Sequence, residues 1–392
     1  MINTGLRSAV CLLLLTLTAQ AAPAHQQIFA LVVANNHSLD RSLPALRYAD
    51  DDGARFYELM ASLGSTVKLL SVLDEETQKV FPALATRSRP PTRSALRAAM
   101  GQLRGAIQQA RKAGRKTALY FYFAGHGDVG QDREGYIHLG DGRFSRSDLY
   151  REVISRSPAD INHIIIDACN SYFLVNQRGG RKGRVSYQQA IQSFLAQETL
   201  DAHPNTGVVL STASMAETHE WSRYRSGIFS HQLLSALWGG ADVDGDRTVD
   251  YNELGAYVAA ANLRVRDSRA RLSIFARPPR SDLKAPVVNL KALRRAQPQS
   301  RRQGRVAALL EIPKQMQGHF YLEDDRGVRH VDFNKTAEQP IKLALLDRPY
   351  YLRVSSTFHT STPDRGGVAH WWLADQRVNR GSNMAEAAQR RR

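Results

Sequence analysis

The sequence predicts an α/β fold, a mainly parallel sheet with helices on both faces, followed by a small β-rich unit. Three observations carry this. Short apolar runs at 28–34 (IFALVVA), 117–124 (TALYFYFA) and 161–168 (INHIIIDA) are each closed by polar or glycine residues, as strands buried on both faces require. Stretches with apolar residues at helical spacing lie between them, so strands and helices alternate. Beyond residue 305 the runs become short, turn-separated and β-like.

In chain order, residues 1–24 read as a secretory signal peptide. Arg7 gives a basic start, 9–17 a short apolar segment, and Ala19-Gln20-Ala21 or Ala22-Pro23-Ala24 a small-residue cleavage site. The apolar part is too short to span a bilayer, so the expectation is an exported protein, periplasmic or extracellular, that does not span the membrane. After the strand at 28–34, residues 46–63 place Ala49, Gly53, Phe56, Met60 and Leu63 on one helical face. Asp50, Asp51 and Asp52 stand at that helix's start, where carboxylates suit the positive end of the dipole. A strand at 66–73 follows. After the breaker Pro90-Pro91, Thr92 caps a long helix with the inner face Leu96, Met100, Leu103, Ile107 and Ala110. Next come the strand at 117–124, a short hairpin near 136–139, a helix around 145–155 and the strand at 161–168. Residues 176–184 (NQRGGRKGR) read as an exposed loop. Helices at 187–200, 226–238 and 251–263 and strands at 207–212 and 272–275 complete a first domain at 25–284. A basic linker (285–304), a small β-rich domain (305–375) and a basic polar tail (376–392) follow.

Lys and Arg exceed Asp and Glu by 16 charges. Such an excess favours anionic partners, but no zinc-finger spacing or basic-aromatic repeat is present and export argues against nucleic acid as a partner. A solvated surface accounts for the charge. Nothing in the sequence sets an oligomeric state. The two cysteines are Cys11, inside the signal segment, and Cys169, which is left as a lone thiol in the mature chain. Free cysteine is often only a small core residue, but a lone thiol in an oxidising compartment is a liability unless it is used.

His126 and Cys169 each follow a buried strand, and in parallel sheets sites lie beyond the carboxyl ends of the strands. A thiolate attacks a carbonyl, and a neighbouring imidazole lowers the thiol pKa and protonates the leaving amine. No cofactor is needed for that chemistry. The N–H groups of Gly127 and Cys169 are the candidate oxyanion donors.

Tyr122-Phe123-Ala124-Gly125-His126-Gly127 with Ile166-Asp167-Ala168-Cys169-Asn170-Ser171 resembles the caspase-like cysteine peptidases of family C14, in their bacterial metacaspase-like branch, over roughly residues 27–284. The resemblance implies a caspase-like αβα sandwich and a protein or peptide substrate. It implies His126 and Cys169 as catalytic dyad, and Gly127 and Cys169 as oxyanion donors. It also implies cleavage after Arg or Lys, with Asp167 and Asp52 as the acidic substrate-binding residues. Asp167 sits two residues before Cys169 and so shares its side on an extended segment. Asp52 has a second reading, a carboxylate at a helix start. The loop Arg178, Arg181, Lys182 and Arg184 lies where caspase-like enzymes separate their large and small parts. It offers the residues such a pocket accepts and is a candidate for self-cleavage, the alternative being a solvated basic loop.

Asp242, Asp244, Asp246, Thr248, Asp250 and Glu253 occupy positions 1, 3, 5, 7, 9 and 12 of an EF-hand-like loop, a candidate calcium site in which Arg247 replaces the usual Gly. Tyr172 stands where the family has Gly, and Ala124 where it has Ser. These departures keep open an alternative, a catalytically silent caspase-homology protein that binds partners in the envelope.

Overall fold

The structure is a computed structural model that describes residues 26–40, 43–132, 134–168, 198–211, 220–222, 224–262, 272, 274–291, 306–336, 338–346, 348–355 and 368–372. Residues 1–24, read above as a signal segment, Cys169, Tyr172, the loop cations Arg178, Arg181, Lys182 and Arg184, and residues 376–392 lie outside the described residues.

The strands of the first unit are β1 (Gln27–Asn35), β2 (Thr66–Leu70), β3 (Thr117–Gly125), β4 (Gly127–Val129), β5 (Gly135–Leu139), β6 (Gly142–Ser145) and β7 (Ile161–Asp167). They continue as β8 (Thr206–Ser211), β9 (Glu220–Trp221), β10 (Ser226–Gly227), β11 (Thr248–Asp250), β12 (Ile274–Arg277) and β13 (Pro286–Asn289). The helices are α1 (Ala49–Ser62), α2 (Glu75–Val80), α3 (Pro82–Ala85), α4 (Arg93–Lys112), α5 (Arg146–Leu149), α6 (Glu198–Asp201), α7 (Ile228–Ser235) and α8 (Tyr251–Asn262). A π turn at Tyr150–Ile154 extends α5 and another at Ala236–Gly240 extends α7.

Six strands form one sheet in the order β12-β8-β7-β3-β1-β2, parallel throughout except for the antiparallel edge strand β12. Its central strands are apolar on both faces because both faces are covered. Ala30, Val32, Tyr120 and Tyr122 pack with α1 and α7, whereas Phe29, Leu31, Leu119, Phe121 and Phe123 pack with α4. Along α4 the expected face Leu96, Met100, Leu103, Ile107 and Ala110 is buried, and Thr92 Oγ1 accepts from the Ala95 N–H at 3.1 Å. Each fully buried Leu or Ile there contributes roughly 2 kcal/mol. Gly53 lets α1 lie close on β1, since a Cβ at that position would stand 2.5 Å from Ala34 Cβ.

The strands beyond residue 305 are β14 (Val306–Ile312), β15 (Gly318–Asp324), β16 (Arg329–Lys335), β17 (Ile341–Leu346), β18 (Tyr350–Ser355) and β19 (Val368–Trp372). They form the pair β14-β17 and the four-stranded sheet β16-β15-β18-β19. Their inward residues, among them Ile312, Phe320, Leu322, Val331 and Leu343, join the same core as Leu237, Trp238 and Leu290. Gly239, at φ +113, allows this contact: a Cβ there would lie 2.4 Å from the Lys342 carbonyl oxygen.

One sequence expectation needs correction. Residues 286–289, read as the start of a linker, form β13 and pair with β11, because Val287 and Val288 have apolar surface to bury. Asp50, Asp51 and Asp52 stand in the first turn of α1, as expected. All three are buried, and Asp50 bonds Asn36 Nδ2 at 2.7 Å and the Asp74 N–H at 2.8 Å.

Candidate active site

The parallel pairing of β3 with β7 sets Ala124 beside Asp167, so the two strands end side by side. At the end of β3, Gly125 turns the chain with φ +154. A Cβ there would meet the Asn35 carbonyl oxygen at 2.8 Å and the Phe123 ring at 2.7 Å, so the turn requires glycine. His126 follows, buried. Its Nε2 lies 2.9 Å from the Pro44 carbonyl oxygen. A carbonyl can only accept, so Nε2–H donates, and in the neutral ring the lone pair falls on Nδ1. His138 packs edge-on against this ring at 6.2 Å and its N–H donates to the His126 carbonyl at 3.0 Å. Burial, and then the neighbouring His126, lower the His138 pKa.

A small pocket beside His126 is lined by Asp167 and Ala168 at the end of β7, Asp52 on α1, and Glu220 and Gly227 from the β9–β10 hairpin. Asp167 Oδ2 accepts from Ser230 twice, from the hydroxyl at 2.5 Å and from the N–H at 3.2 Å. Burial nevertheless pushes the Asp167 pKa up to about 6, against the Ser230 bonds and with help from Glu220. Asp52 accepts from the Gly227 N–H at 2.7 Å and from the Ser226 hydroxyl. Its pKa too is driven well up by burial, offset by Arg55 and raised further by Asp167. Arg55 Nη1 stands 3.8 Å from Asp52 Oδ1. The pocket thus gathers three carboxylates against one adjacent guanidinium.

The structure therefore brings His126, Asp167 and Asp52 together. Cys169 lies two positions beyond the last residue of β7, outside the described residues. Sequence reasoning missed Glu220, Ser226, Ser230 and Arg55. Glu220 Oε1 accepts from the N–H groups of Arg47 and Tyr48, both at 2.9 Å. Only the fold brings that hairpin to the start of α1, so no local signal marked it.

The EF-hand-like loop lies away from this pocket, between the π turn after α7 and α8. Asp242, Asp244 and Asp246 each turn a carboxylate oxygen to within 4.8 Å of the others. Arg247, at φ +64, holds the left-handed conformation for which the sequence called for Gly, and its N–H donates to both Asp242 oxygens at 3.1 and 3.2 Å. Asp250 caps α8 by accepting from the N–H groups of Asn252 and Glu253 at 2.8 Å. Thr248 bonds Asp246 through both N–H (2.7 Å) and hydroxyl (2.6 Å), while Glu253 accepts from the Val243 and Asp250 N–H groups. An all-oxygen, carboxylate-rich donor set of this kind suits a hard cation such as calcium.

Among the described residues no helix is long and apolar enough to cross a membrane. The chain matches the family described as Peptidase C14, caspase domain, over residues 27–283. Among solved structures it is similar to the protein GSU0716 from Geobacter sulfurreducens, at 16% identity with a TM-score of 0.40, covering 67% of this chain and 99% of that one. It is also similar to caspase-1 from Spodoptera frugiperda, at 13% identity with a TM-score of 0.39, covering 65% and 88%. No curated protein matches the chain at a significant level.

Proposed function

Since the chain belongs to the caspase-domain family of peptidases, we propose that it is an exported cysteine endopeptidase that cuts after Arg or Lys. The observation that carries this reading is the convergence of Asp167 and Asp52 beside His126, at the strand end that leads directly into Cys169.

In the proposed reaction His126 Nδ1 takes the Cys169 thiol proton and the thiolate attacks the scissile carbonyl carbon. The N–H groups of Gly127 and Cys169 hold the oxyanion. Collapse breaks the C–N bond, and His126 returns its proton to the leaving amine. Water, deprotonated by His126, then hydrolyses the thioester and frees Cys169. The Nε2–H bond to Pro44 supports this role because it fixes the tautomer and orients the ring. The carboxylates supply specificity: a buried acidic pocket takes a guanidinium or ammonium and rejects a second carboxylate. Arg178, Arg181, Lys182 and Arg184 are then substrates of the same pocket and the proposed sites of self-cleavage. Residues 1–24 are the proposed export signal. Calcium at Asp242, Asp244, Asp246, Thr248, Asp250 and Glu253 is the proposed ion.

The test is hydrolysis of fluorogenic peptides ending in Arg or in Asp, by wild type and Cys169→Ala. Arg cleavage lost in the variant is expected. Ala124 lines the pocket with a methyl where the resembling enzymes carry Ser, which favours the second reading, a silent binding protein. No cleavage of either peptide, before or after nicking at 178–184, would establish that reading instead.

A further inference from the structure

We propose that Arg329, on the C-terminal strand β16, is a positioning residue for the substrate pocket. It acts by clamping the β9–β10 hairpin through Tyr224. The proposal rests on the reading that this pocket takes an Arg or Lys side chain, and it gives the C-terminal strands a part in substrate recognition.

The hairpin contributes Glu220 and Gly227 to the pocket, paired opposite one another, and Ser226 binds Asp52. Tyr224 stands in its turn. The Tyr224 carbonyl accepts from Arg55 Nη2 at 3.0 Å, and Arg55 faces Asp52. The Tyr224 ring stacks on His231 at 4.6 Å and 9°, and the Arg329 guanidinium lies over that ring at 4.4 Å. Arg329 is buried and lies closer still over Tyr321 of β15, at 3.7 Å. Its charge is met within its own sheet, by Glu323 at 3.0 Å and Asp332 at 2.9 Å. Asp332 in turn bonds His319 and lies 3.7 Å from His231 Nε2 on α7. The guanidinium is therefore fixed before it meets Tyr224, as a group that positions a neighbour must be. A two-residue strand pair has little stability of its own, so the hairpin depends on such outside contacts to keep Glu220 aimed at the pocket.

The test compares wild type with Arg329→Met and Tyr224→Leu, by amide hydrogen exchange of the full chain and by hydrolysis of an Arg-ended peptide. We expect amides of residues 220–227 to exchange at least ~10-fold faster in both variants while those of α4 hold their protection. We also expect KM to rise about tenfold with kcat within about twofold. Unchanged exchange at 220–227 overturns the clamp whatever the activity. Loosening spread evenly over the chain overturns it too, because it marks a merely structural residue. Local loosening with an unchanged KM overturns the link to the pocket. A wild type that cuts neither Arg nor Lys peptides sinks the specificity reading, and the exchange result still judges the clamp.

Discussion

Ser230 ties Asp167 to α7 twice, through its N–H and its hydroxyl, and the same hydroxyl oxygen lies 2.6 Å from the Tyr122 phenol. A hydroxyl has one hydrogen. Since Ser230 gives it to the carboxylate, Tyr122 donates to Ser230, and a short relay runs from the core to the pocket. Ser230→Ala breaks the relay at its centre. The buried Tyr122 hydroxyl then lacks its acceptor, which costs about 1–3 kcal/mol of stability. Asp167 loses a bond that holds its pKa down, so it ionises still less readily. The measurements are a denaturant midpoint and the KM for an Arg-ended peptide at pH 7. A lower midpoint with a higher KM is expected, and no change in either contradicts the relay.

The raised pKa of Asp167 sets the pH behaviour of the proposed pocket. A cationic side chain binds the ionised carboxylate, so affinity should grow as pH rises through about 6 and fall about tenfold per unit well below it. Agmatine, a guanidinium without a scissile bond, isolates this step from the dyad when its binding is titrated between about pH 4 and 8. Stability moves the other way. The folded carboxyl binds its proton more tightly than the unfolded one, so its contribution is complete below about pH 4 and is lost as pH rises through about 6. Asp167→Asn should therefore gain on wild type above pH 6, by on the order of 3 kcal/mol, and match its pH dependence below 4. A constant difference across that range would exclude Asp167 as the titrating group.

Elements with a local signature were legible in the sequence. The buried runs of β3 and β7, the apolar stripe of α4 and its Thr92 cap each rest on residues within one element, and the structure follows them. The strand ends that border the candidate pocket were legible for the same reason, because they are marked by Gly125 and Asp167. The pocket's walls were not. Glu220, Ser226 and Ser230 meet Asp52 and Asp167 only after α1 and α7 have packed on one face of the sheet, whereas Arg55 stands one helical turn from Asp52 on α1, a spacing that the sequence did carry. Asp50, Asp51 and Asp52 show the limit clearly. Their place at a helix start was read correctly, yet periodicity alone could not tell that all three are buried.

Close approach of α1 to β1 makes Gly53, next to the pocket residue Asp52, sensitive to any added side chain. In an open helix Gly53→Ala would stabilise by about 1 kcal/mol. Here the new methyl would stand 2.5 Å from Ala34 Cβ, with Val32 at 3.8 Å behind it. Overpacking of this sort costs about 1–3 kcal/mol, so a net loss is expected. The clash is between two methyl groups, and Ala34→Gly should relieve it. A thermal-denaturation cycle of the two single variants and the double variant should show the double more stable than the sum of the singles. Additive effects would mean that the helix shifts instead.

Arg247 would set how well the EF-hand-like loop holds the proposed calcium. It keeps φ at +64, where a Cβ costs about 1 kcal/mol or more, and it puts a cation on the chain segment between Asp246 and Thr248. The residues otherwise fit: Asp242 is buried with its pKa raised by that burial, and three carboxylates converge. Arg247→Gly removes both the strain and the charge while keeping the N–H that Asp242 accepts. Without added metal this variant should unfold at a higher temperature than wild type. Its calcium affinity, read from the rise in melting temperature with millimolar calcium, should exceed that of wild type by about tenfold. Asp242→Asn removes the buried anion and should abolish the calcium response in either background. Melting temperatures of both wild type and Arg247→Gly that ignore calcium would leave the acidic loop as a structural turn that caps α8.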